Sequence, residues 1–143
     1  QLELTVPADI LTGWLLHVGV QNEAAGTMNV KSNAPWQCTV VDGHEDGTGS
    51  LGLMTQYDVD AAAYGSLSLG DPLHVIGDGN DVTLTAGIPV IIAEGIPADQ
   101  LPGNAGETVP LTFRHYVEYD DPVLEAPYDV YRIVITFTAS QTI

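Results

Sequence analysis

The sequence predicts an all-β, antiparallel fold, a sandwich or barrel of about eight to ten short strands. Three observations carry this. Apolar residues recur at period two along most of the chain, and no stretch of useful length shows helical periodicity. Turn signals built from Gly, Pro, Asn and Asp recur about every 8 to 12 residues. Finally, the run from Tyr128 to Ala139 sets Tyr131, Ile133, Ile135, Phe137 and Ala139 in one apolar row. Arg132, Thr136 and Thr138 fall on the opposite parity, with Val130 and Val134 between them. That row predicts one long strand with a face in a core and a face toward water or a neighbour.

The elements follow in order. Leu2, Leu4 and Val6 alternate with Glu3 and Thr5 and stop at Pro7, a short first strand. Trp14, Leu16, Val18 and Val20 make a second, with His17 on its outer parity. Asn22 to Gly26 reads as a turn, and Thr27 to Lys31 as a third strand broken by Ser32-Asn33-Ala34-Pro35. Trp36, Cys38 and Val40 then share a face against Gln37, Thr39 and Val41. The glycine- and acid-rich stretch from Asp42 to Gly52 predicts irregular structure. Leu53 to Tyr57 reads as a short strand, and Ala61 to Tyr64 as a single helical turn stopped by Gly65. Short strands are expected at Leu67–Leu69, Leu73–Ile76, Val82–Thr85 and Pro89–Ile92. Gly95 to Gly106, with Pro97 and Pro102, reads as a long loop. Leu111, Phe113, His115 and Val117 mark the penultimate strand, which is expected to pair with the last because sequential strands usually neighbour one another.

No linker splits the 143 residues, so residues 1–143 predict a single domain large enough for a real core. The charge is lopsided: 19 acidic residues stand against Lys31, Arg114 and Arg132, a formal net of −16. Three scattered cations make no phosphate-binding patch, so nucleic acid is not an expected partner. The same sign disfavours anionic membrane surfaces, and no apolar stretch has the roughly 20 residues that membrane insertion as a helix needs. The chain starts at Gln1, not Met, which suggests a secreted mature form with a signal peptide removed; an expression boundary would look the same. Cys38 stands alone, so no internal disulfide holds the fold.

Chemistry finds little to use. Cys38 lies mid-strand among apolar neighbours, where a cysteine behaves as a small hydrophobe. There is no nucleophile elbow, zinc-protease motif or phosphate loop. His17, His44, His74 and His115 are spread over separate elements, without metal-ligand spacing. Calcium is the better-motivated ligand, because it takes oxygen donors from acidic, glycine-bearing loops. Three loops qualify as candidates: Asp42, Glu45 and Asp46; Asp78, Asn80 and Asp81; and Asp120, Asp121 and Asp129. None matches an EF-hand loop, and the competing reading is solvated turn residues.

The segment Gly26 to Asp42 (GTMNVKSNAPWQCTVVD), the leading Trp14-Leu15-Leu16 and the closing Tyr131 to Ala139 together resemble secreted β-sandwich proteins of microbial, especially methanogenic archaeal, cell surfaces. Val30, Ser32, Asn33, Trp36, Thr39, Val40 and Asp42 carry the first motif, with Cys38 where the pattern takes an aliphatic residue. The resemblance implies an extracellular, Ig-like β-sandwich used in sheaths, surface layers or fimbria-like filaments. It carries over no catalytic residue.

The expected function is therefore not enzymatic. It is that of a structural subunit, polymerising with copies of itself through β-strand edges. Soluble monomers usually blunt such edges with lysine or proline, and Lys31 is the single lysine here. The expected assembly strands are Leu2, Leu4 and Val6, with residues 1–7 as a strand-exchange segment hinged at Pro7–Gly13, and Tyr131, Ile133, Ile135 and Phe137. An ordinary first strand within its own sheet competes with the exchange. The alternative function is a monomeric secreted module that binds carbohydrate or calcium, with Tyr57, Tyr64, Tyr116, Tyr119 and Tyr128 as candidate sugar-stacking rings.

Overall fold

A computed structural model describes residues 2–7, 14–43, 51–97 and 106–142. The fold is all-β and sandwich-like, and every strand pairing is antiparallel. Eleven strands lie among the described residues: β1 (Leu2–Thr5), β2 (Gln21–Ser32), β3 (Trp36–Asp42), β4 (Thr55–Asp58), β5 (Ala63–Ser68), β6 (His74–Gly77), β7 (Asn80–Thr83), β8 (Val90–Gly95), β9 (Glu107–Tyr116), β10 (Asp129–Arg132) and β11 (Ile135–Gln141). They form a five-stranded sheet β1-β2-β9-β6-β7 and two three-stranded sheets, β11-β3-β8 and β10-β4-β5.

Alternation explains the core. In β3, Trp36, Cys38, Val40 and Asp42 are buried and the residues between them are not. In β9, Val109, Leu111, Phe113 and His115 are buried in the same way. These rows meet Met28 and Val30 of β2, Val75 of β6 and Ile92 of β8 in one hydrophobic cluster. The two larger sheets close on each other, because β1 lies against β11 and β7 against β8. Side chains stitch both margins. Asn80 Nδ2 donates to the Ile92 carbonyl at 3.0 Å, and Gln141 Nε2 donates to Ser32 Oγ at 3.1 Å.

Several expectations are corrected. Asn22–Gly26 is not a turn but the start of the 12-residue β2. The turn lies earlier, at 17–20, where Gly19 takes a φ of +79°. Buried Asn22 makes it: its Oδ1 accepts the His17 N–H, and its Nδ2 donates to the carbonyls of His17, Val20 and His115. The side chain does the work of a backbone turn. Trp14 to Val20 is consequently not a strand, apart from a bridge between Val18 and Val117.

Nor do Ala61–Tyr64 form a helical turn. Asp58 Oδ1 accepts the N–H groups of Asp60 and Ala61, both at 2.9 Å, and turns the chain back as a hairpin. Ala63 and Tyr64 open β5. The expected long terminal strand is two, broken at Ile133 and Val134. β10 pairs with β4 and β11 pairs with β3, in different sheets. The last two long strands do not pair either, since β9 is already flanked by β2 and β6.

Candidate functional site

The sequence placed candidate sites in three acidic loops, where Asp42 and Asp121 accept from backbone N–H groups while Asp81 and Asp129 meet side chains. Asp42 is buried and accepts the Gly52 N–H at 2.8 Å; Glu45 and Asp46 lie outside the described residues. Asp78 and Gly79 form the two-residue hairpin turn between β6 and β7, both at positive φ. Asp81 pairs instead with the His74 Nδ1 at 2.8 Å. Asp121 bridges two segments, its Oδ1 accepting Gly70 N–H and its Oδ2 accepting Glu118 N–H, both at 2.8 Å. Asp129 accepts from Gln56 Nε2 at 2.7 Å. Among the described residues, no three His, Cys, Asp or Glu side chains gather as metal ligands would.

The groups that titrate oddly are likewise structural. Burial pushes the Cys38 thiol up to about 11, so it is not poised as a nucleophile. His115 is fully buried, with Nε2 2.8 Å from the Asp71 carbonyl. Burial holds its pKa below the ordinary histidine value. A hydrogen bond to Asp71, followed by weaker desolvation and nearby carboxylates, raises the Glu118 carboxyl. Together these contacts pin the 69–73 segment to the end of β9.

The expected assembly strands fall into two kinds of place. Leu2 and Leu4 sit in β1, paired with β2 of the same chain and packed on the core, and Val6 lies just beyond the strand. Residues 8–13, the expected hinge, lie outside the described residues. Tyr131, Ile133, Ile135 and Phe137 all pack against the core. Their parity is inward, as the alternation indicates, although the row changes sheets midway.

The feature that sequence reasoning missed is the small sheet β10-β4-β5. On one of its faces, Tyr57 lies between Val130 and Tyr64 across the three strands. The Tyr57 and Tyr64 rings meet edge to face, with centroids 4.9 Å apart. The Arg132 guanidinium stacks 4.4 Å over Tyr57 and 5.7 Å from Tyr64. Val59 and Tyr128, joined by a backbone hydrogen bond of 2.9 Å, continue the stripe. Val59, Tyr128 and Val130 are 54%, 56% and 42% exposed, so this face is uncovered among the described residues. The opposite face turns Tyr131 inward, its hydroxyl donating to the Pro122 carbonyl.

At the margin of this sheet, β5 ladders with β4 alone among the described residues. Ala63, Gly65, Ser66 and Leu67 are all exposed. The ladder with β4 shifts register between Thr55 and Tyr57, and the Gln56 side chain lies against Gly65 and accepts the Leu67 N–H at 3.4 Å. The signal was present in the sequence as a ten-residue uncharged run, Ala61 to Gly70, with neither lysine nor proline. Tyr116, Tyr119 and Tyr128 do not join the Tyr57–Tyr64 ring pair; Tyr119 lies instead over Gly19.

No helix among the described residues is long and apolar enough to cross a membrane. Comparison with known protein families, with characterised proteins and with solved structures finds no match.

Proposed function

We propose that this chain is a structural subunit of an extracellular assembly, a sheath, surface layer or filament, whose copies join through β-strand edges. One observation carries the reading: the small sheet ends in β5, a neutral edge strand exposed on both faces. Such an edge presents backbone donors and acceptors to another strand, and this one lacks lysine and proline, while its ladder with β4 shifts register between Thr55 and Tyr57 and its Leu67 N–H meets Gln56 Oε1 at 3.4 Å. The resemblance to microbial surface proteins points the same way. Sedimentation velocity from micromolar to millimolar protein, with negative-stain electron microscopy, tests it. Species that grow with concentration are expected. A single 15.1 kDa particle throughout overturns the reading.

A second reading, a monomeric carbohydrate-binding module, rests on the Tyr57–Tyr64–Arg132 cluster. Tyrosine rings offer apolar faces to sugar C–H groups, and the guanidinium offers donors to hydroxyls. Calorimetry with soluble polysaccharides distinguishes the two: saturable heat abolished in Tyr57→Ala favours the module. Calcium enters either reading only as a counter-ion for a chain of net charge −16. Unchanged melting temperature and morphology after exhaustive EDTA treatment would remove it.

A further inference from the structure

We infer that β1 is exchanged between copies: Leu2–Thr5 of one chain fills the place beside β2 of the next. This rests on the structural-subunit reading and names the strand that makes the junction.

The place itself identifies its occupant. Within one chain it is filled with Leu2 opposite Ser32, Glu3 opposite Lys31, Leu4 opposite Val30 and Thr5 opposite Asn29. Leu2 and Leu4 pack on the core, while Glu3 and Thr5 are exposed. A strand that fits there needs apolar residues at two alternate positions and an acid between them. A second copy carries that same segment, so each contact made within one chain can be made between two.

Charge agrees with this occupant. Copies of net charge −16 repel each other, but residues 1–7 carry a single acid, Glu3. Its cross-strand neighbour is Lys31, the single lysine of the chain. The exchanged segment therefore sets unlike charges side by side.

β1 can leave without dismantling the domain. It is a four-residue strand at the margin of the five-stranded sheet, laddered with β2 alone among the described residues. None of its residues is buried. Its neighbour is the reverse: Val30 and Ser32, opposite Leu4 and Leu2, are both 0% exposed. Withdrawal of β1 strips them of the strand beside them and opens the β2 edge, so the place calls for another strand.

The connection is long enough. Eight residues, 6–13, join β1 to Trp14, which packs against the core. Fully extended they bridge roughly 30 Å, close to the roughly 35 Å width of a folded chain of this length. The β2 of an adjacent copy is within that reach. Because β1 makes the same contacts in either copy, concentration sets the balance between them. Given from each copy to the next, the strand links copies into a filament; given mutually, it closes a pair.

The test is cross-linking between two variants prepared separately, Thr5→Cys and Asn29→Cys. They are unfolded together in urea with reductant, refolded as a mixture and then oxidised. The native Cys38 is buried and its thiol is pushed up to about 11, so the introduced thiols are the reactive ones. Paired Cα atoms in an antiparallel ladder lie about 4.5 to 5.5 Å apart, within disulfide range. Oxidised glutathione joins the two thiols as one disulfide and leaves as two reduced molecules. The mixed disulfide forms only where β1 of one copy lies beside β2 of another. It should be the main product at about 1 mM protein and scarce at about 1 µM, because return of β1 to its own chain competes at an effective concentration on the order of millimolar. Ile88→Cys, at an exposed position outside β1 and β2, should give little when it replaces Asn29→Cys in the mixture. A chain carrying both Thr5→Cys and Asn29→Cys should close on itself at about 1 µM; if it does not, the register is wrong and the inference falls with it. If the unaltered protein assembles but the mixed disulfide stays at the level seen with Ile88→Cys, β1 remains in its own chain: this inference falls and the subunit reading stands. If the unaltered protein stays monomeric at millimolar concentration, both fall.

Discussion

The two larger sheets and the small one are built from the same alternating strands, yet they end differently. In the sandwich, each margin meets another strand: β1 lies on β11, and β7 on β8. In the small sheet, β5 lies at the margin, laddered with β4. The difference is one of what covers the second face. β3 and β9 bury every other residue under the opposing sheet; no residue of β5 is buried, so its uncharged side chains contribute little to a core. Burial gives the sandwich its stability, whereas the small sheet keeps an exposed margin.

The sharpest way to break this contrast is to hollow the sandwich. Trp36 is 1% exposed, and its indole lies so close to Gly95 of the paired strand that a Cβ there would strike the ring. Trp36→Ala should cost about 3 to 5 kcal/mol. The reciprocal Gly95→Ala overfills the same place and should cost about 1 to 3 kcal/mol. Urea denaturation measures both. If either change is neutral, the core does not sit where the fold places it.

Next comes the hydrogen bond that anchors the end of β3. Asp42 is buried and accepts the Gly52 N–H, so Asp42→Ala leaves that donor short of its partner and should cost about 1 to 3 kcal/mol. This separates a structural Asp42 from a calcium ligand. A structural role predicts the same loss with EDTA or with added calcium, whereas a ligand role predicts a loss seen only with calcium present.

Alternation made the sandwich legible in the sequence. Trp36, Cys38 and Val40, and likewise Leu111, Phe113 and His115, fall inward as their parity indicates. The row Tyr131, Ile133, Ile135, Phe137 also keeps its inward parity across a change of sheet. This is why period two could not reveal the break at Ile133 and Val134: the pattern records which face is buried, not which strand lies alongside. The small sheet was hidden for a related reason. Three alanines before Tyr64 carry no period. The hairpin is set by Asp58 accepting two N–H groups and by Ala62 at a φ of +53°, a side-chain effect that apolar patterning does not register. Asn22 hid the start of β2 in the same way.

A smaller effect comes from His115. Burial lowers its folded pKa below the ordinary value of 6.5, so the unfolded chain takes up the proton first. Its contribution is therefore full above about pH 6.5 and is lost as pH falls below that value. Glu118 acts in the opposite sense, since its folded pKa is raised: its contribution is present below about 4.5 and fades as pH rises. Unfolding free energy should therefore decline from about pH 7.5 to pH 5.5, and His115→Gln should flatten that decline. An unchanged slope in the variant would mean that other groups govern it. Because His115 lies against the 69–73 segment, which follows β5, acid should loosen that junction before it unfolds the sandwich.

The smallest effect on stability is also the most discriminating between the two regions. Tyr128 and Val130 are about half exposed on the Tyr57 face, and surface substitutions of this kind usually change stability by less than about 0.5 kcal/mol. Tyr128→Ser with Val130→Ser should leave the urea midpoint almost where it was. Their removal deletes exposed apolar area on the Tyr57 face, so any association through that face should weaken by a few-fold, by roughly 1 kcal/mol or less. The same pair of changes made in the sandwich, at Val75 and Leu111, would be expected to unfold the chain, because there each side chain is buried on both sides by its neighbours. If the Tyr128 and Val130 changes instead cost several kcal/mol in the monomer, the face is not a free surface at all. It would then be covered by part of this same chain, and the place for a partner would have to be sought elsewhere.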